Sequence, residues 1–359
     1  MPSAAPVLVV GTGSIHLRRF VAGLCAVGQR VVLASDAEQR LIDDRLVLEQ
    51  FRVDLSLRNL GLAATLSRSI ARWRPQVLHV HQAGGAAWHA ARAAARSGVP
   101  LIITLWGSDV LRLHEWNWLH RLAVRRALRR AAAWTADARA LLDAAQGICG
   151  PDAGALREWI PIGIDPPAPA AAAPREPRVL SCRLHKPLYR IDAIVRAFAR
   201  LPDTRRGWIL EVAGAGSETA ALQQLAQGLG RRVEFTGMLA PAQLALAYRR
   251  CALFVSVPES DGTSVSLLEA MAAGCLPVLS DLPANREWVR DGLNGLLVGD
   301  LAGLDGALMR AMDWWQSGRW DREDRQRGER VVLERALLSD NIAQFIALYR
   351  RVRADAGSP

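Results

Sequence analysis

The sequence predicts an α/β protein built of two Rossmann-like, doubly wound parallel-sheet domains facing a central cleft. Three observations carry that expectation. Continuous apolar runs of strand length alternate with segments whose apolar residues recur at helical spacing, the pattern of parallel sheets buried on both faces. The chain has 359 residues, enough for two cores. A proline- and alanine-rich stretch without apolar period, PPAPAAAAPREPR at 166–178, separates two such alternations and reads as a linker. The expected division is therefore 1–165, a linker at 166–178, 179–330, and a helical segment at 331–359 packing back across the cleft.

From residue 6, PVLVVGTG is a buried strand running into a glycine turn, and SIHLRRFVAGLCAVG then carries apolar residues at helical spacing before another glycine. RVVLASD completes the first βαβ unit. A helix at 62–73, the strand QVLHVHQ, an alanine-rich helix at 86–97 and the strand PLIITLWG continue the alternation. Beyond the linker, RVLSCR, WILEVAGAG, RVEFTG, LFVSVP and PVLS read as strands, with IDAIVRAFARL, TAALQQLAQGLG, AQLALAYRR and SLLEAMAAG as the helices between them. ERVVLERALLSDNIAQFIALYRRVR reads as the final helix. In folds of this kind ligands bind beyond the carboxyl ends of the strands, so the loops that follow strands are where function is sought.

Composition narrows the class. Half the residues are hydrophobic and 22% are charged, with no run near the roughly 18 apolar residues of a spanning helix. MPSAAPVLVVGTGS lacks a basic n-region and leads into a turn, so it is read as the first strand of a cytoplasmic protein. Cys25, Cys149, Cys182, Cys251 and Cys275 lie far apart with no CxxC, which points to buried small hydrophobes rather than zinc or disulfides. His79 and His81 share one face of a strand, and no metal is expected there. The net charge of +10, mostly in the N-terminal half, favours anionic partners; of 45 basic residues, only Lys186 is a lysine.

Three loops carry chemistry. Gly11-Thr12-Gly13-Ser14 lies between strand and helix, where it is either a tight turn or a phosphate contact made through Gly13 and Ser14; His16 stands where a dinucleotide fingerprint would have its third glycine. Gly214-Ala215-Gly216 is a similar turn, read as structural. The strongest signal is PESDGTSVSLLEAMAAG at 258–274, a small polar loop between a strand and a helix. Amides around Val265 and Ser266 there can cradle a diphosphate with the helix dipole assisting, while Asp261 and Glu269 can grip hydroxyls on two different sugars.

This pattern resembles the retaining GT-B glycosyltransferases of family 4, group 1 type, whose signature is E-x7-E followed by an alanine- and glycine-rich helix. Here it stands as Asp261-x7-Glu269, then EAMAAG and CLPVLSDLPANREWVRDGLNGLLV. QVLHVHQAGGAAWHAARAAARSGVPLIITLWGSDV resembles the family's N-domain core, and IPIGID its domain junction. The resemblance implies that Glu269 binds ribose hydroxyls and Asp261 the donor sugar, with Gly262, Thr263, Ser264, Val265 and Ser266 around the sugar and diphosphate. It also implies a pair of cations on the diphosphate, Arg183 with Lys186, or with Arg190 in its place. No metal and no cofactor are implied.

The N-domain departs from the family pattern. Trp106 stands where many members carry a histidine, which makes Asp109 the best polar group aimed at the acceptor, with His16 and His81 as further acceptor-side contacts. RLHEWNWLHRLAVRRALRRAAAW at 112–134 places Arg121, Arg125 and Arg129 four apart beside Arg126 and Arg130, flanked by Trp116 and Trp118. That pattern suits a helix lying on an anionic membrane surface. The resulting expectation is a metal-independent, retaining glycosyltransferase, cytoplasmic with peripheral contact at the inner face of the membrane. It would use a nucleotide sugar and a lipid-linked saccharide acceptor, in cell-surface polysaccharide or lipopolysaccharide synthesis. A GT-B sugar-nucleotide epimerase and a basic nucleic-acid-binding protein are the alternatives.

Overall fold

The computed structural model describes residues 5–38, 45–166, 174–229, 232–320 and 322–356. The chain divides into two compact units, Met1–Ile162 together with Leu338–Pro359, and Gly163–Leu337.

The first unit contains β1 (Val7–Gly11), α1 (Ile15–Ala26), β2 (Val31–Ser35), β3 (Val47–Arg52), α2 (Leu62–Trp73), β4 (Val77–His81) and α3 (Gly85–Ser97). It continues through β5 (Leu101–Leu105), α4 (Ser108–Leu111), α5 (Trp118–Arg130), β6 (Ala133–Ala136), α6 (Arg139–Cys149) and β7 (Leu156–Trp159). The sheet runs β3-β2-β1-β4-β5-β6-β7, every pair parallel. Strand order reverses between β1 and β4, so the loops after these two strands diverge and leave a crevice at the carboxyl edge.

The second unit contains β8 (Glu176–Ser181), α7 (Ile191–Ala199), β9 (Ile209–Ala213), α8 (Thr219–Gln227), β10 (Val233–Gly237), α9 (Pro241–Arg250) and β11 (Cys251–Ser256). After these come α10 (Val265–Ala272), β12 (Leu276–Ser280), α11 (Pro283–Arg286), β13 (Leu296–Val298), α12 (Leu304–Gln316) and α13 (Arg322–Arg335). Its parallel sheet is ordered β10-β9-β8-β11-β12-β13, with the reversal between β8 and β11. Val179, Leu210, Leu253, Val255 and Val278 of the strands pack against Ile194, Phe198, Leu308 and Met312 of the helices.

The last helix, α14 (Leu338–Ala356), belongs to the first unit. Ile342, Phe345, Leu348 and Tyr349 enter the core formed by Val7, Val9, Phe20 and Leu24. Gly23 on α1 is the contact point, because a Cβ there would collide with Ile342. Below them, His79 Nδ1 bonds the Tyr349 hydroxyl at 2.7 Å and His79 Nε2 the Thr104 hydroxyl at 2.6 Å, and Thr104 bonds Thr135 at 2.6 Å. This buried chain satisfies polar groups of β4, β5 and β6 through one hydroxyl from α14.

Several expectations need adjustment. Residues 176–178 are strand rather than linker, and 167–173 lie outside the described residues. The expected final helix is two helices interrupted at Ala336 and Leu337; Ile164 pairs with Leu337 as an isolated bridge. The segment that returns to the first unit therefore begins at Leu338, not at residue 331, and α13 stays in the second unit against α10. The basic segment 112–134 is helical as α5 only from Trp118 to Arg130: Asn117 caps it, and Trp134 is fully buried in β6.

Candidate active site

In the second unit the candidate residues meet at the β8/β11 reversal. β11 is buried throughout and delivers the chain to the 257–264 loop; Ser264 then caps α10 by accepting from the Leu267 amide. The first amides of α10, those of Val265 and Ser266, have no carbonyl a turn earlier to bond and remain available to an anion. Arg183, just beyond β8, forms an ion pair with Asp261, its Nη2 lying 2.7 Å from Oδ2, and its Nη1 donates to the Ser264 hydroxyl. Its guanidinium lies over the Tyr189 ring, 4.3 Å from the centroid. The pair is largely withdrawn from water, with side chains 11% and 20% exposed. Burial works against the Arg183 charge, but the Asp261 carboxylate overcomes it and holds the guanidinium above its ordinary pKa. Burial raises the Asp261 pKa, and Arg183 and the Gly262 amide offset part of that rise.

Thr263 accepts from the Trp288 indole at 3.0 Å, and Arg335 covers the face of Trp288. Gly262, Thr263 and Ser264 are buried, whereas Glu269 is half-buried, one turn into α10. Its charge acts on Tyr248 and Cys182, whose hydroxyl and thiol lie 3.2 Å apart and are both pushed up by burial first. Lys186 is exposed and Arg190 half-buried, in left-handed backbone at the start of α7. The structure therefore brings together Arg183, Asp261 and Ser264. It leaves Lys186 pointing to solvent with no ion pair to a described residue.

In the first unit, His16, His81, Trp106 and Asp109 converge beyond the ends of β1, β4 and β5. Trp106 Nε1 donates to His81 Nδ1 at 3.2 Å, and His16 stands edge-on to Trp106 at 5.2 Å. Because Nδ1 accepts, neutral His81 carries its proton on Nε2, which is buried without a bonded partner. Burial, then neighbouring His16, lowers the His81 pKa to about 3, so the ring is uncharged at neutral pH.

Asp109 does not point out of this cluster. Its oxygens accept from the Ala83 amide at 2.8 Å and the Trp106 amide at 3.1 Å, tying the loop after β4 to the loop after β5. Burial raises its pKa, and those amides partly offset the rise. The aspartate expected to face the acceptor is thus engaged as a clamp on the backbone. Gly13 is likewise occupied: its amide donates to Asp36 at 2.6 Å, and Ser14 caps α1 by accepting from Leu17. The glycine turn lies in the first unit and the diphosphate candidates Arg183 and Ser264 in the second.

Some supporting residues were not singled out from the sequence. His185 is held by the Ala215 carbonyl and by Thr219, and Tyr189 lies under Arg183. Gly214 and Gly216 are required there, since a Cβ on either would strike the carbonyl oxygens of Arg183 and His185. The paired glycines were the available signal, and their purpose is to let the Arg183 loop lie against β9's exit.

On α5 the guanidiniums of Arg121, Arg125, Arg126, Arg129 and Arg130 are exposed. Trp116, Trp118 and Leu119 at its start are 51%, 64% and 57% exposed, and Trp116 stacks on His120 at 4.3 Å. Among the described residues no helix is long and apolar enough to cross a membrane.

Residues 178–313 match the family described as Glycosyl transferases group 1, and residues 7–137 that described as Glycosyl transferase 4-like. An exopolysaccharide phosphotransferase of Streptomyces coelicolor is 32% identical over 177 residues, 48% of this chain and 18% of its own length. The alpha-monoglucosyldiacylglycerol synthase of Streptococcus pneumoniae is 32% identical over 124 residues, 34% of this chain and 28% of its own. The phosphatidyl-myo-inositol mannosyltransferase of Mycobacterium leprae is 40% identical over 104 residues, 28% and 27% of the two chains. Each match thus spans less than a third of the curated relative's length. In fold, the chain is similar to the sucrose-phosphate synthase of Thermosynechococcus elongatus, with TM-score 0.80, 17% identity and coverage of 98% and 100%. It is also similar to Anabaena HepE in complex with UDP, with TM-score 0.77, 17% identity and coverage of 96% and 100%. The parallel sheets of both units, the two matched segments and these neighbours agree, and the chain belongs to the group 1 glycosyltransferases of the GT-B fold.

Proposed function

We propose that this chain transfers a sugar, with retention at the anomeric carbon, from a nucleoside-diphosphate sugar to a lipid-linked saccharide in cell-surface polysaccharide or lipopolysaccharide synthesis. The observation that carries the reading is the cluster of Arg183, Asp261 and Ser264 at the start of α10. As the bond from the anomeric carbon to phosphate oxygen breaks, negative charge grows on the diphosphate. Arg183, the Val265 and Ser266 amides and the α10 dipole face that charge without rearrangement. The acceptor oxygen bonds to the same carbon from the leaving-group side, and its proton passes to a phosphate oxygen. Asp261 addresses the donor sugar and Glu269 the ribose, while Lys186 swings from solvent onto the phosphates. His16 and Trp106 meet the acceptor, the buried His81 holds the Trp106 indole from behind, and Asp109 holds their loops in place. No metal takes part, and a chelator is expected to leave transfer intact.

The names of two relatives refer to glycolipids, which supports a lipid-linked acceptor. The exposed arginines and tryptophans of α5 support peripheral contact with an anionic cytoplasmic leaflet, where each arginine contributes about 1 kcal/mol. A product assay with UDP-, GDP-, ADP- and dTDP-sugars and membrane lipid acceptors tests the reading. An α-linked product from an α-linked donor is expected. No product with any donor, or an inverted one, would refute it.

A further inference from the structure

Two adjoining recesses lie at the amino-terminal edge of the first unit's sheet, the edge opposite the catalytic candidates. One has a volume of about 380 Å³ and is lined by Ala94, Leu101, Ala132, Arg129 and Arg130 among others. The other, about 300 Å³, is lined by Gln76, Ser97, Arg74 and Arg353 among others, and the two share Gly98, Val99 and Pro100. No carboxylate lines either recess. The four guanidiniums are exposed and make no ion pair with a described residue, unlike Arg72, Arg112 or Arg351 in the same unit.

Helix ends explain part of this charge. α2 stops at Arg74, α3 at Gly98, α5 at Ala131, and Arg353 is in the last turn of α14. Each negative helix end offsets about half an elementary charge. Four guanidiniums against four such ends leave a surplus of about two positive charges. A phosphomonoester carries about −1.5 to −2 at neutral pH, with oxygens that accept several guanidinium bonds at once.

We infer that these recesses form a phosphomonoester site, distinct from the donor site. Arg129 and Arg130 continue the exposed arginine row of α5, so a phosphate borne on a lipid at the surface contacted by α5 can reach it. That lipid source rests on the membrane reading above; the site itself does not.

The experiment has two arms, both with the full chain. In the first, inorganic phosphate is titrated at constant ionic strength into R183Q protein, whose donor site is weakened, and into R183Q carrying R129Q, R130Q, R74Q and R353Q. Saturable binding that falls at least tenfold in the second protein supports the site. In the second arm, phosphatidylcholine vesicles doped with phosphatidic acid are compared with phosphatidylcholine vesicles brought to the same surface charge with phosphatidylglycerol. A preference of about fivefold for phosphatidic acid, lost in the R129Q/R130Q/R74Q/R353Q protein, assigns the phosphate to lipid. Binding in the first arm alone assigns it to a soluble phosphate. Equal affinity of both proteins for phosphate, together with no preference among vesicles or one that survives the four substitutions, overturns the inference. Loss of phosphatidylglycerol binding in R121Q/R125Q/R126Q reports on the membrane reading separately.

Discussion

Replacing Asp261 with asparagine removes one negative charge from beside Arg183 while keeping the side chain's shape and an acceptor oxygen for the guanidinium. Asp261 Oδ2 lies 2.7 Å from Arg183 Nη2. A phosphate bonded to the other side of the guanidinium at about 2.8 Å would stand about 6 Å from the carboxylate. Two unit charges at that distance repel by about 0.7 kcal/mol in water and about 2.8 kcal/mol at an effective dielectric constant of about 20. The site is withdrawn from water but open to a ligand, so a value near 1 kcal/mol is expected. Asp261→Asn should therefore tighten nucleoside diphosphate about fivefold. The same variant should transfer sugar at least tenfold more slowly, because the carboxylate no longer grips the donor sugar. Calorimetric titration with UDP, the ligand of the HepE neighbour, measures the first effect, and initial rates measure the second. UDP affinity that falls in Asp261→Asn as far as in Arg183→Gln would refute the reasoning, since the carboxylate would then be holding Arg183 in place rather than competing with phosphate.

Glu269→Ala should weaken nucleotide-sugar binding by about 2 to 4 kcal/mol through loss of charge-assisted bonds to ribose, and unchanged affinity in the folded variant would remove that assignment. Asp109→Ala should lower stability by about 1 to 3 kcal/mol, because the partly buried Ala83 and Trp106 amides lose their acceptor; denaturant titration reads this directly. Tyr349→Phe leaves a buried His79 nitrogen without its partner and should cost about 1 to 2 kcal/mol, an effect visible as a lower Tm. Acidification should also destabilise the first unit. Burial holds His79 and His81 below the ordinary histidine pKa of 6.5, so the unfolded chain binds protons that the folded chain refuses. Stability falls as pH drops below about 6.5, by about 1.4 kcal/mol per pH unit for each histidine, and for His81 until pH reaches about 3. A Tm independent of pH between 7 and 5 would contradict the neutral, buried assignment.

Much of the fold was legible because parallel strands buried on both faces leave continuous apolar runs, as in VLVVG, VLHVH and LIITL. The edge strand VLEQFR of the first sheet was missed, since it is only half-buried and carries Glu49 and Gln50. In the second unit the loop 261–266 was legible from its small polar residues between a buried strand and an apolar helix. Its ion pair with Arg183 was not, since the partners are far apart in sequence and meet only through the parallel pairing of β8 with β11. The Asp109 clamp was illegible for a related reason: its acceptor oxygens are spent on main-chain amides, and any residue but proline at position 83 would supply the same N–H. Helix length failed in the 112–134 segment, where Asn117 supplies a cap inside the periodic pattern and Ala133-Trp134 continue it into a strand. Periodicity alone does not distinguish a buried helical turn from the first residues of a buried strand.

The return of α14 to the first unit bears on how the chain is made. Residues 163–337 are contiguous, so the second unit has every contact it needs once residue 337 has left the ribosome. The first unit, though synthesised earlier, waits for Phe345 and Tyr349 before the surface around Phe20 and His79 is closed. During that interval an apolar patch on α1 and the His79 Nδ1 that Tyr349 will meet stand open to chaperones and proteases. Vectorial synthesis thus reverses the order that sequence position suggests: the second unit matures first, and the first unit is sealed by the final helix.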